Sequence, residues 1–415
     1  MWVYKIYKEK LHFSLNFYSI FLLVTFIPDI LGLPASLITY GLWAIKSYTA
    51  FWLVYKYGKK LYDLNFNEKL FVFVATIYFI NIFIDLFWQY FPIGIGNPID
   101  LLGFFLSILI AFAFRYDPIF CSKKSFYIFL ITLSLGLFIA FFIAKESPEP
   151  YVGRYDANST VNTINYGQMG CALCLVVIYG FLNMPFKYSK TIYSFLFLLG
   201  ILSIMKAGSR SPIVVLAFVS IFYFFANSGF VKGLIFIGVS AVVLYFSTGF
   251  LIELSEAVGS GIVTRIISAV ETGETSGRDA IYINAIGHFL DSPIFGDYYL
   301  ISSGLAKGYY PHNFIIEAFM TTGIVGGIPF VIMIIITLIR SFRLLKSKHM
   351  SGWIVLLYLQ ILIFGMFSSS LYSSQDFWAL SFFILSMPAS TLNKKRKFLK
   401  STTSSTAKQP SLGLT

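Results

Sequence analysis

The sequence predicts an all-α polytopic membrane protein of about 12 transmembrane helices, on three observations: its composition, the spacing of its apolar runs, and the placement of its basic residues. Of 415 residues, 57% are apolar and only 12% charged, against about 45–50% and about 25% in an ordinary soluble domain. That excess cannot be hidden in a water-soluble core. It is close to what 12 spans of ~20 residues require.

The first apolar run, residues 11–27, follows Lys5, Lys8 and Lys10. The arrangement resembles a signal peptide, but the run meets Pro28 and Asp29 in place of a small-residue cleavage site, and is expected to remain as the first span. The second, 32–55, is interrupted by Lys46. Runs 70–91, 98–114, 125–144, 166–185, 191–206, 212–229 and 232–250 follow. The tenth, 313–339, is interrupted by Gly323, Gly326, Gly327 and Pro329, and 353–371 and 377–392 complete the set. Connections are short except for 145–165 and 251–311, and long ordered loops usually carry function. The expected organisation is spans one to nine in 1–250, an outer loop with an amphipathic helix in 251–311, spans ten to 12 in 312–392, and a basic, disordered cytoplasmic tail in 393–415.

A net charge of +12 would suggest nucleic acid in a soluble chain. Here the basic residues have another duty, because positive charge collects on the cytoplasmic side. With the N-terminus inside, 23 of the 31 Lys and Arg fall in cytoplasmic segments, Lys46 falls in a span, and seven lie outside: Lys145, Arg154, Lys206, Arg210, Arg265, Arg278 and Lys307. Both termini are then cytoplasmic, the partners are membrane lipids, and nucleic acid is not expected. The loop 251–311 holds three bases and seven acids, so a phosphate there must be gripped by a few placed arginines and not by a diffuse field. Three cysteines cannot form a disulfide framework, and Cys171 and Cys174 read as helix packing. Four histidines are too few for a metal cluster, so neither metal nor cofactor is expected.

Cations on the outer side run against the orientation rule. Arg210 sits in KAGSRSP, a tight turn in which Ser211 can cap the next helix and Pro212 fits its first position. It serves either as a cation at a helix C-terminus or as an anion ligand; Lys206 stands four residues earlier, and the two repel unless an anion bridges them. Arg278 lies in TSGRDAIYINAIGHFLDSP, where Ser276 and Asp279 have capping-box spacing and Ile281, Ala285, Ile286, Phe289 and Leu290 make one apolar stripe. That helix N-terminus beside Arg278 is a natural phosphate site, and Arg265 joins it from the same loop. His288 reads as structural.

His312 stands where the chain enters the tenth span, and Asn313 can cap the helix. A helix N-terminus disfavours imidazolium, so the ring stays neutral and able to accept a proton. Glu317, five residues on, is an acid about one turn into the membrane, where an ionisable group is functional or paired. Asp85 and Lys46 pair with each other or line a cavity.

The motifs GSRSP, SGRDAIY with a following SPIFG, and PHN with a following GIVG resemble the O-antigen ligase and polymerase superfamily of bacterial envelopes. From His312 the pattern is His-Asn, nine residues, Gly323, two residues and Gly326, similar to that of the ligases. The matching motifs span roughly 205–340. The resemblance implies a multi-pass, metal-independent inverting glycosyltransferase of the inner membrane, with its site facing the periplasm and a glycan on undecaprenyl pyrophosphate as donor. It implies that Arg210 and Arg278 hold the pyrophosphate and that His312 is the catalytic histidine. The acceptor is a lipid-linked repeat unit in a polymerase, with a chain-length regulator as a further partner, or the lipid A core in a ligase. The arginine-plus-glycine repeat of some polymerases is absent: 11 residues after Arg265 stands Ser276, and after Arg278 stands Phe289. The wealth of Phe, Tyr, Ile, Lys and Asn, with 46 Phe and 27 Tyr, suits an AT-rich O-antigen gene and tips the expectation to polymerase. A lipid-linked glycan flippase would spread ionisable residues along many spans, whereas here they gather at the outer ends of spans seven to ten. A third expectation is a non-catalytic partner of an export complex.

Overall fold

Apolar runs of membrane length have no water to bond with, so they fold as helices that satisfy their own backbone. The computed structural model is 75% helix and 2% strand. It describes residues 19–34, 40–41, 43–45, 47–48, 50–51, 54–55, 63–89, 97–116, 118–148, 153–272 and 277–388. Lys5, Lys8, Lys10, Lys46, Ser276, the tail 393–415 and much of the first two runs lie outside the described residues.

Helix α1 is Phe21–Ile30, and α2, Phe66–Ile84, runs on into a π-helical turn, Asp85–Gln89. Then come α3 (Pro98–Ala113), α4 (Lys123–Ile143), the two short strands β1 (Lys145–Glu146) and β2 (Tyr155–Asp156), α5 (Thr163–Asn183), α6 (Ser189–Ala207) and α7 (Ser211–Ser228). The second half holds α8 (Phe230–Ala257), α9 (Ile262–Thr272), α10 (Arg278–Asp291), α11 (Phe314–Lys346), α12 (Gly352–Gly365) and α13 (Gln375–Leu385). Among the described residues six helices, α2, α4, α5, α6, α7 and α11, are long and apolar enough to cross a membrane; α8 makes a seventh if its halves, bent by 55°, count as one. Helices α3, α12 and α13 are apolar but shorter. The chain is thus a multi-pass helical membrane protein.

Two predicted runs are shortened. The run 353–371 is helical only to Gly365, and 377–392 only to Leu385. Five serines within 368–374 offer the backbone local hydroxyl partners in place of a helical ladder, and Pro388 cannot continue the second helix. The long connection 145–165 contains the β1–β2 pair, with Lys145 opposite Asp156.

Helix α5 is the centre of the molecule, with 78% of its apolar window buried against 33–44% for the other five spans. Small residues let its neighbours close in: a Cβ on Gly200 of α6 would lie 2.6 Å from Cys174 Sγ and 2.9 Å from Gly170 O. The two backbones therefore touch, as small residues permit in membranes. Cys171 and Cys174 are buried free thiols in this seam. From α12, Gln360 Nε2 donates to Gln168 O at 2.7 Å and Gln168 Oε1 at 3.0 Å, a buried polar link between helices. At the end away from Arg210, Arg340 donates to Ile384 O, Leu385 O and Met387 O at 2.9, 2.8 and 3.0 Å, closing the last turn of α13.

Helix α11 is broken at Gly323, with φ +58° and ψ −157°. The freed groups find partners in the segment just after α10: Ile324 N donates to Pro293 O at 2.9 Å, Val325 N to Ile294 O at 3.2 Å, and Asp297 N to Met320 O at 2.7 Å. A Cβ on Gly323 would lie 2.3 Å from Ile294 O, and one on Gly296 (φ +85°) 2.3 Å from Thr321 O. The SPIFG segment is therefore threaded into the break, which is how a membrane helix tolerates an interruption. This fixes α10 against the start of α11.

Candidate active site

Helix α6 ends at Gly208 (φ +66°), and Arg210 takes the position before α7 with no side-chain cap. Ser211, expected as the cap, is the first helical residue, and Pro212 the second. Arg210 Nη1 reaches Arg265 O at 3.4 Å, and Arg265 Nη1 returns to Gly208 O at 2.9 Å. The two guanidinium groups thus tie α9 to the α6–α7 turn. Lys206 bonds Phe141 O and lies 5.0 and 5.2 Å from the centroids of the Phe141 and Tyr155 rings. The Lys206 ammonium is thus held by a carbonyl and two ring faces.

Helix α10 starts from Gly277 (φ +72°) without a side-chain cap. Ser276, the other half of the expected box with Asp279, lies outside the described residues. Arg278, its first residue, donates from Nη2 to Ser368 Oγ at 2.9 Å. Burial pulls the guanidinium down from its ordinary value, and the neighbouring Arg210 charge pushes the same way; Arg278 stays cationic, as arginine does in proteins. The buried face of α10 is Ala285 and His288, while Ile286 and Leu290 of the apolar stripe are 43% and 65% exposed. His288 Nδ1 meets Asp297 Oδ2 at 2.8 Å.

His312 has a left-handed backbone, φ +59°, a conformation that costs a side chain about 1–3 kcal/mol and recurs at functional sites. Its ring packs edge-on to Tyr310, centroids 4.4 Å apart. Nδ1 is buried without a hydrogen-bond partner among the described residues. Burial pulls the imidazole down to about 4, and the Arg278 charge adds to the shift, so the ring is neutral at ordinary pH. Asn313 caps α11 by accepting from Ile315 N and Ile316 N at 2.9 and 3.1 Å, and its Nδ2 donates to Met366 O at 3.2 Å.

Glu317 is fully buried and accepts from Tyr78 Oη at 2.6 Å, Leu371 N at 2.8 Å and Tyr372 N at 3.2 Å. It pins the loop after α12 to α2. Asp85 accepts from Tyr299 N at 2.7 Å, and Tyr299 Oη donates to Asp100 at 2.8 Å; the alternative of a Lys46 pair concerns a residue outside the description. Over about 100 positions of sequence, Arg210 and Arg265 are tied together by hydrogen bonds, and Arg210 acts on Arg278, and Arg278 on His312, through charge; Glu317, five residues beyond His312, is the buried brace of the loop after α12. Sequence reasoning missed Tyr310 and the loop 366–374, whose Ser368 receives Arg278. The signal was five serines in seven positions, absorbed into an apolar run.

Residues 195–331 match the family model described as O-antigen ligase. The match contains every one of the candidate residues from Arg210 to Glu317, and supports the O-antigen ligase/polymerase superfamily. No curated protein matches the chain.

Proposed function

We propose, from the premise that residues 195–331 are an O-antigen ligase-type segment, that this protein is an O-antigen polymerase. It would join undecaprenyl-pyrophosphate-linked repeat units at the periplasmic face of the inner membrane, as a metal-independent inverting glycosyltransferase with about 12 spans and both termini cytoplasmic. The observation that carries the reading is the meeting of a neutral imidazole with two partly buried guanidinium groups, His312 beside Arg278 and Arg278 near Arg210.

Each group has a separate task. The acceptor hydroxyl oxygen forms a bond to the anomeric carbon of the donor sugar, and its proton goes to the neutral His312 ring. The bond from that carbon to the pyrophosphate oxygen breaks, and its electron pair leaves with the pyrophosphate. Arg210 and Arg278 stabilise the developing charge with planar, multi-donor guanidinium groups, and Arg265 holds the turn that presents Arg210. Direct displacement inverts the anomeric centre. Asn313 and Glu317 support the geometry without touching the reacting atoms.

A second reading, transfer of the lipid-linked glycan to lipid A core, is favoured by the His-Asn, nine, Gly-x-x-Gly spacing and by the description of the matching family. A lipopolysaccharide gel of a deletion strain separates the two. Core bearing one repeat unit is the expected result; bare core with accumulated lipid-linked polymer would instead mean ligase. Loss of lipid-linked glycan from the outer leaflet would mean flippase and overturn both.

A further inference from the structure

Helix α10 is held at its far end, where the segment after Asp291 enters the break in α11. Arg278 opens the same 14-residue helix, about 20 Å of helix away at ~1.5 Å per residue. So distant an anchor leaves the guanidinium loosely placed. The neighbouring Arg210 charge also disfavours the Arg278 cation, and a long side chain so repelled gains by swinging toward water. A second fastening stands at the near end. Arg278 Nη2 donates to Ser368 Oγ at 2.9 Å, and one turn further along α10 the Tyr282 hydroxyl reaches Met366 O at 3.4 Å.

Ser368 is itself tied to the start of α11. Asn313 Nδ2 donates to Met366 O at 3.2 Å, and Glu317 accepts from Leu371 N and Tyr372 N at 2.8 and 3.2 Å. Asn313 and Glu317 stand four residues apart, on one face at the start of the helix, and between them they hold both ends of the segment 366–372. Ser368 N donates back to Phe364 O at 2.9 Å, so the middle of the segment stays attached to α12. His312 immediately precedes Asn313. We propose that Ser368 is a positioning residue: on a strap that Asn313 and Glu317 fasten to the start of α11, its hydroxyl holds the Arg278 fork in register with His312 before a donor binds. The hydroxyl takes a single N–H of the guanidinium, so it aims the fork without using it up. That the aimed group binds pyrophosphate rests on the glycosyltransferase reading; the coupling of Arg278 to His312 through Ser368 does not.

The test follows the His312 ring by NMR in full-length protein in detergent, with isotope-labelled histidine and the signal assigned by its absence from His312→Asn. In the native protein the ring titrates at about 4, through burial and the Arg278 charge. Ser368→Ala frees the guanidinium, so the midpoint should rise, by no more than the rise that Arg278→Gln gives. Ser368→Thr keeps the hydroxyl and should titrate as the native protein does. With Arg278→Gln already present, adding Ser368→Ala should change nothing, because Ser368 acts through that charge. Loss of folding alone gives none of this pattern. In turnover assays Ser368→Ala should lower kcat/KM about tenfold or more, mainly through KM for the lipid-linked donor, since the fork must then be ordered at the moment of binding. Ser368→Thr should recover most of it. Ser368→Cys, similar in size but a weak acceptor, replaces Ser368→Ala if the thermal midpoint of the latter has moved. An unmoved His312 midpoint in the alanine variant or its replacement, or a rise that persists without Arg278, overturns the proposal. If the midpoint rises as expected while His312→Ala still makes long polysaccharide in cells, the catalytic assignment fails and the positioning role stands.

Discussion

His312 combines three properties that its residue type does not guarantee: a left-handed backbone, a buried Nδ1 without a described partner, and an imidazole pulled down to about 4. His312→Asn tolerates the same backbone and keeps hydrogen-bonding groups, but cannot act as a base. It should insert normally and give no long-chain polysaccharide on a gel, and chains of native length would remove His312 from the reaction. The pH profile follows from the sign of the shift. The neutral ring is the working form, so activity of purified protein should persist as pH falls through 6.5 and be lost only near about 4, where imidazolium forms. A solvated histidine would lose it near 6.5. For Arg278, Lys keeps the charge but not the planar fork; Arg278→Lys should lower the rate by about 10–100-fold, from loss of charge-assisted bonds worth about 1.5–3 kcal/mol.

Among the elements, the break in α11 has the most specific consequence. Gly323 and Gly296 lie where two backbones touch, and a methyl at either would meet a carbonyl 2.3 Å away. Gly323→Ala should therefore expel the segment 292–297 from the break, at about 2–3 kcal/mol or more. Limited proteolysis within 292–311 should reveal it, with polysaccharide lost although every charged candidate residue is intact; native protease resistance would show that the segment is held by other contacts. Glu317 gives a parallel case. Removing its carboxylate in Glu317→Ala leaves Leu371 N and Tyr372 N buried without their acceptor, a destabilisation of about 2–5 kcal/mol. A lowered thermal midpoint should accompany reduced polymer, and an unchanged midpoint would contradict the bracing role.

For the whole molecule, the distribution of charge makes a topological prediction. Lys307→Cys should react with a membrane-impermeant maleimide on intact, outer-membrane-permeabilised cells, and Lys124→Cys only after the inner membrane is opened. Labelling of both, or in the reverse order, would invert the orientation and with it the side of the reaction. The exposed Phe105, Ile131, Phe142 and Ile235 fit a lipid-covered perimeter, since soluble surfaces rarely carry so much contiguous apolar area. Helical class, multi-pass character and the candidate residues from Arg210 to Glu317 were legible in the sequence, because hydropathy, helix start signals and misplaced cations are local or additive properties. Contacts between distant segments were not. That SPIFG enters the α11 break, that Lys206 turns to Phe141, that Asp85 serves Tyr299, and that a serine loop receives Arg278 depend on which backbones approach one another. Such approaches are set by packing of the whole bundle around α5, which no local pattern of residues encodes.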